Sequence, residues 1–104
     1  MRSPAQALRA VRAAAKAGAW RADPHLLKRL AQRGIGLVDV LAALQAARRI
    51  QPHDMLPLNP GGESWRVYGP DTDGRTLGMG VELVTDDDGD LMIIITVFVE
   101  DAGR

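Results

Sequence analysis

The hydrophobic period of this chain changes once, near Trp65, and that change constrains the fold more than any other feature. Upstream, apolar residues recur every three or four positions, as on one stripe of a helix. Downstream they recur every second position, as on one face of a strand. The segments "WRVYG", "TLGMGVELV" and "LMIIITVFV" are separated by "PDTDGR" and "DDDGD", which carry the Asp and Gly that hairpin turns demand. A three-stranded antiparallel meander is therefore expected over residues 65–99. A helical half followed by a strand half predicts an α+β fold, with three N-terminal helices packed on one face of a C-terminal antiparallel sheet. At 104 residues the chain suits a single domain, with residues 1–50 as its helical half.

The helices announce themselves by their ends. In "SPAQ", Ser3 can cap, Pro4 fits the first helical position and Gln6 completes a capping box, while Gly18 is a natural stop. Leu8, Val11 and Ala15 share one stripe of this helix, and Arg9, Arg12 and Lys16 share another. A second helix opens at Asp23 and Pro24 and ends at Gly34, with Leu26, Leu27, Leu30 and Ala31 as its buried stripe. His25, Arg29 and Arg33 are four residues apart and line up on the remaining surface, with Lys28 beside them. A third helix is expected from about Leu37 to Arg48, with Leu37, Val40, Leu41 and Leu44 inward. Arg48 and Arg49 would then sit at the negative end of its dipole, where cations are favoured.

Residues 51–64, "QPHDMLPLNPGGES", hold three prolines and two glycines, which argues for a long loop with room for a fourth, edge strand around Met55 to Leu58. Loops of this length often line a site. His53 and Asp54 are adjacent there, but sequence neighbours seldom face one another, and the pair receives no role. In the middle strand Leu77, Met79, Val81 and Leu83 form one face, and Thr76, Gly78, Gly80 and Glu82 the other. Alternate glycines leave bare backbone, the mark of a bend or of close approach by another group. The last strand is apolar on both faces, which predicts cover on both sides, with Thr96 satisfying a neighbour in the core. Trp20 and Trp65 read as core or edge packing.

The formal charge is zero, yet it is unevenly spread. Residues 1–50 hold ten Lys or Arg against two acids, net +8, and residues 51–104 hold three against eleven, net −8. Separate basic and acidic faces are expected, the first suited to a polyanion and the second to a basic protein. The absence of cysteine excludes disulfides and thiolate metal sites and suits a reducing cytoplasm. No cofactor or metal motif is present. The longest apolar run, Leu91 to Val99 broken by Thr96, is too short to span a membrane, and the Ala-rich, Arg-punctuated start is unlike a secretory leader.

Basic helices with "H-x-x-x-R-x-x-x-R-G-I", then a third helix, "WRVYG", "DGR" and a closing "IITVF" resemble a small bacterial domain family of unknown function. That family is related by fold to the RelE and MqsR type messenger-RNA interferase toxins. The resemblance covers about residues 20–99, and "AAAKAGAW" before it is similar to the opening of MqsR-like proteins. It implies that a free sheet face and adjoining helix ends bind nucleic acid, with an antitoxin as a protein partner. It also implies that arginine and tyrosine on the sheet act in RNA cleavage.

Metal-independent RNA cleavage needs a group for the 2′-hydroxyl proton, a proton for the leaving 5′-oxygen, and fixed positive charge for the phosphorane. His25 is the residue here suited to proton transfer, since imidazole titrates at about pH 6.5. Arg66 and Tyr68 alternate on one strand face and can point the same way. These three form the expected catalytic set; Lys28, Arg29, Arg33 and Arg75 are the expected RNA contacts, and Glu82 is a weaker addition. Each has a duller reading: Arg29 and Arg33 as partners of the acidic half, Tyr68 as a strand residue with its hydroxyl at the rim. The chain's neutrality also departs from the basic character that phosphate binding favours. The rival reading is a non-catalytic interaction module, or an inactive toxin relative, holding a basic partner through its sheet edge and acidic half.

Overall fold

The computed structural model describes residues 1–87 and 89–100. Eight elements follow in order: α1 (Pro4–Ala17), β1 (Trp20–Ala22), α2 (Pro24–Arg33), α3 (Leu37–Gln45), β2 (Arg49–Pro52), β3 (Glu63–Pro70), β4 (Thr76–Asp86) and β5 (Gly89–Glu100). The helix boundaries follow their local signals. Ser3 and Gln6 form the reciprocal capping box of α1, and Gly18 ends it in the left-handed region at φ 73°. Asp23 caps α2 by accepting from the His25 N–H at 2.8 Å, and Gly34 closes it at φ 67°.

The sheet has five strands in the order β1-β5-β4-β3-β2, not three. The meander β3-β4-β5 is as expected, and two short strands extend it. β1 runs parallel to β5, pairing Trp20 with Met92 and Ala22 with Ile94, so the sheet is mixed and Trp20 belongs to a strand. β2 pairs antiparallel with β3, and it lies at Arg49–Pro52 instead of the expected Met55 to Leu58. The third helix is correspondingly shorter: it stops at Gln45, and the Arg48 N–H already donates to the Tyr68 carbonyl at 3.0 Å. Arg48 and Arg49 therefore lead into β2 and do not serve the end of α3. Pro52 is tolerated because an edge strand needs no N–H on its open side.

One cluster forms the core. Ala7, Val11 and Ala14 of α1, Leu26 and Leu30 of α2, and Val40 and Leu44 of α3 meet Trp65, Val67, Leu77, Met79, Val81, Leu83, Met92, Ile94 and Val97 from alternate strand positions. Each fully buried aliphatic side chain contributes roughly 1.5–3 kcal/mol. Backbone contact is close: a Cβ on Gly69 would lie 2.1 Å from the Ala43 carbonyl, so β3 and α3 meet there without a side chain between them. Arg12 adds a polar tie, its Nε donating to the Ala47 carbonyl at 2.8 Å. Leu27 and Ala31, expected inside, are exposed, because α2 meets the protein through one narrow side carrying only Leu26 and Leu30.

A β-bulge sets the second face of β5. Gly80 pairs with Thr96 but Val81 pairs with Ile94, so Ile95 is an extra residue on β5. The bulge reverses the alternation: Ile94 and Val97 both reach the core, and Thr96 and Phe98 turn away from it. Thr96 thus lies outside the core, half-buried, with its hydroxyl accepting from the Gly80 N–H at 3.2 Å. The expected cover on the far side of β5 is also incomplete, for Phe98 and Val99 are 37% and 44% exposed.

Candidate nucleic-acid interface

Strand alternation assembles a second surface from the positions the core does not use. In register across the sheet, one row reads Arg49, Tyr68, Gly78, Phe98, and the next reads Gln51, Arg66, Gly80, Thr96. The two glycines are what let the larger groups meet. A Cβ on Gly78 would lie 2.2 Å from the Phe98 ring, so the ring lies across bare backbone and reaches Tyr68 edge-on, centroids 6.1 Å apart. The Arg49 guanidinium stacks 4.0 Å from the Tyr68 centroid and bonds Glu100 at 2.6 Å. Such stacking holds both faces of the contact flat and leaves guanidinium N–H groups for other acceptors.

Each aromatic ring borders a cavity. Phe98 lines one of about 200 Å³ with Thr96, Val97, Leu26, Leu30, Arg29 and Arg33. Tyr68 lines another of about 250 Å³ with Arg48, Arg49, Thr76 and Glu100. Arg33 donates to the Val97 carbonyl at 3.0 Å, where β5 has run past the end of β1 and its edge is open. Arg29 and Arg33 of the expected helical stripe are thus brought beside Thr96 and Phe98 of β5, the strand two places from the β3 of Arg66 and Tyr68. Arg66 is half-buried, and its side chain has no hydrogen bond or ion pair among the described residues.

The other expected residues are placed differently. His25 is exposed in the first turn of α2, one turn before Arg29; its imidazole has no partner among the described residues and borders neither cavity. Lys28 is exposed on the same helix and also lies outside both cavities. Arg75 is committed elsewhere, in the β3–β4 turn, with its Nε 2.7 Å from the Asp71 carboxylate and Asp73 at 3.9 Å. Burial pushes the Asp71 carboxyl up, but the Arg75 side chain, the backbone N–H groups of Arg75 and Asp73 and the Arg75 charge outweigh it. The carboxyl ends below its usual value and the Arg75 guanidinium above its own. Asp39, Asp71 and Asp73 converge here, but Arg75 and the Thr72 hydroxyl already engage them.

Glu82 is fully buried on the same side of β4 as Gly80, and its role is to hold a loop. Its carboxylate accepts from the backbone N–H of Leu58 at 2.7 Å and of Asn59 at 3.0 Å, and from the Asn59 amide at 2.8 Å. These bonds fold residues 53–62 over one end of the face. The fold of that loop brings His53 above Gly80, a placement the sequence did not show. Arg49, Thr96 and Phe98 were likewise missed as members of this surface. The glycine alternation was the one signal that something would lie close to β4.

The basic and acidic halves partly neutralise one another: Arg2 pairs with Glu63 and Asp90, and Arg49 with Glu100. Lys28, Arg29, Arg48 and Arg66 form no ion pair among the described residues. Arg9, Arg12 and Lys16 of α1, Arg21 of β1 and Arg33 of α2 form none either, so the unpaired cations are divided between α1, β1, α2 and the strands' open face.

The family model for the domain of unknown function DUF4258 matches residues 23–99. The chain belongs to the DUF4258 family. The matched span begins at the α2 cap and ends in β5, so the surface just described falls within the DUF4258 domain except for Glu100, and α1 and β1 precede it. No curated protein and no solved structure matches the chain. No helix in the described residues is long and apolar enough to cross a membrane.

Proposed function

We propose that the open sheet face, with the adjoining stripe of α2, binds single-stranded RNA. The observation that carries this reading is the Arg49–Tyr68–Phe98 assembly over Gly78, flanked by Arg66 on one side and by Arg29 and Arg33 on the other. Aromatic rings with one free face stack on any base, and guanidinium groups at strand spacing meet the phosphates between them. The carboxylates closest to the rings are already engaged, Glu100 by Arg49 and Glu82 by the loop, so little negative charge opposes a polyanion.

In the fuller version the RNA is also cut without metal, as the resemblance to RelE and MqsR type interferases implies. His25 then moves the proton, Arg66 and Tyr68 act at the phosphate, and Lys28, Arg29 and Arg33 hold the strand. The setting is cytoplasmic, with an antitoxin-like protein as partner. Cleavage asks more of the site than binding does, since His25 must reach a phosphate held on the sheet from its place on α2. Arg75, tied to Asp71, contributes to the turn in either version.

The test is a titration of a labelled eight-residue oligouridine at increasing salt, with gel analysis of the same mixtures. Binding that weakens as salt rises, and that fails in Tyr68→Ala with the fold intact, supports the reading. Binding absent at low salt defeats it and favours the protein-interaction reading. Intact oligonucleotide after long incubation, with full binding, removes only the cleavage step.

A further inference from the structure

The second histidine is the more closely held of the two. His53 follows β2 directly, its N–H donating to the Ser64 carbonyl at 3.0 Å, and its side chain is 17% exposed. The ring Nδ1 accepts from the Met55 N–H at 3.2 Å. A neutral imidazole that accepts at Nδ1 carries its proton on Nε2. That nitrogen faces the backbone of Gly80: a Cβ there would lie 3.6 Å from Nε2, 3.4 Å from Cδ2 and 2.5 Å from the Thr96 Oγ1. A Cβ there would clash with the hydroxyl and only touch the imidazole, so glycine at this position is what lets the Thr96 hydroxyl lie against the strand beside the His53 ring. Arg66, paired with Gly80 across β3, rises on the same side and has no partner among the described residues.

We infer that His53, Thr96 and Arg66 form a subsite for a phosphodiester oxyanion on the bare backbone of Gly80. The inference rests on the RNA-binding reading above and names which phosphate contact anchors the strand. Three donors come from three separate segments on this side: Nε2–H from the loop and the hydroxyl hydrogen of Thr96 from β5, both at Gly80, and the guanidinium of the residue paired with Gly80 on β3. The Thr96 oxygen already accepts from Gly80, which leaves its hydrogen to point outward. A tetrahedral phosphate presents oxygens in several directions and matches donors arriving this way; a planar carboxylate presents two and is better met by one guanidinium fork. The Ser64 hydroxyl, two residues before Arg66 on the same face, is buried without a partner among the described residues and marks a further unused polar atom there.

Nearby carboxylates do not compete for the spot. Glu82 is occupied by three N–H donors, and Asp54 is fully exposed on the Nδ1 side of the ring, 3.7 Å from it. The subsite is rigid because its loop is anchored by Glu82. It also lies next to the stacking pair: Thr96 is two residues from Phe98 and lines the same cavity as Arg29 and Arg33. A strand seated on Tyr68 and Phe98 would therefore meet a second set of donors one phosphate further along.

The test uses the whole chain labelled with nitrogen-15 and two probes, inorganic phosphate and the eight-residue oligouridine. Long-range proton–nitrogen spectra report the two imidazoles separately. We expect both probes to move the His53 Nε2 signal, phosphate to leave His25 unmoved, and His53→Ala to weaken oligouridine five- to tenfold. His53→Gln, which retains an N–H donor, should recover part of that loss, whereas a merely structural histidine would not be rescued this way. Normal RNA affinity in His53→Ala, with Tyr68→Ala defective and the His53 ring unmoved, overturns the subsite and leaves the sheet-face reading standing. Phosphate that shifts His53 while the oligonucleotide fails to bind overturns the sheet-face reading and keeps the subsite. The spectra of the wild-type chain decide the matter even if His53→Ala does not fold.

Discussion

The two faces of β3 and β4 are built from the same residues in alternation, yet they obey different rules. On one, Trp65, Val67, Leu77, Met79 and Val81 are fully buried against the helices. On the other, Arg66 and Tyr68 remain half-exposed, and Gly78 and Gly80 leave the space of their missing side chains to Phe98 and Thr96. The first face is filled by volume. The second is emptied on purpose, so that groups from β5 and from a loop can converge over backbone. A glycine inside a strand costs stability, and finding two at alternate positions of an 11-residue strand indicates a surface shaped for contact.

The contrast is open to direct attack. Trp65→Ala on the buried face should cost about 3–5 kcal/mol and bring down the whole thermal transition, read by calorimetry. Equal damage from Tyr68→Ala would erase the distinction between the faces. Glu82→Gln takes the charge from a buried acceptor of three N–H bonds and should cost about 1.5–3 kcal/mol. Its effect should concentrate in residues 53–62, as faster amide exchange and easier proteolysis there while the core stays protected.

Tyr68→Ala should lower oligouridine affinity by about 1–3 kcal/mol per stacked base, with only a small shift in melting temperature. The smallest effect belongs to Asp71→Asn, at the turn that both faces share. Because the folded-state carboxyl lies below its usual value, its ionised form supports folding above the ordinary carboxylate range. That support fades as pH falls through the lower, folded-state value. The variant should therefore show a flatter acid limb in melting temperature against pH, with RNA binding unchanged.

Much of this was legible from local patterns. Ser3, Pro4, Asp23, Pro24, Gly18 and Gly34 mark helix ends through bonds made within a few residues, and the period-two runs after Trp65 are enough to put Arg66 and Tyr68 on one side. What was hidden depends on distant pairing. β1 is three residues long, too short to alternate visibly, and its partner lies some seventy residues later. β2 was obscured by Pro52 and by the charges that suited a helix end. An apolar strand with one polar residue reads as covered on both sides, with Thr96 in the core; the bulge at Ile95 turns Thr96 to the open face instead. The place of His53 is not legible locally, because it depends on the β2–β3 pairing that continues into its bond with the Ser64 carbonyl.

The unfinished edge of β5 has its own consequence. β1 accompanies it only through Ile94, and beyond that point the strand offers a row of peptide groups to any passing chain. Arg33 occupies the Val97 carbonyl in just this stretch. The same arginine that borders the cavity beside Phe98 thus takes up one backbone acceptor that an added strand would need.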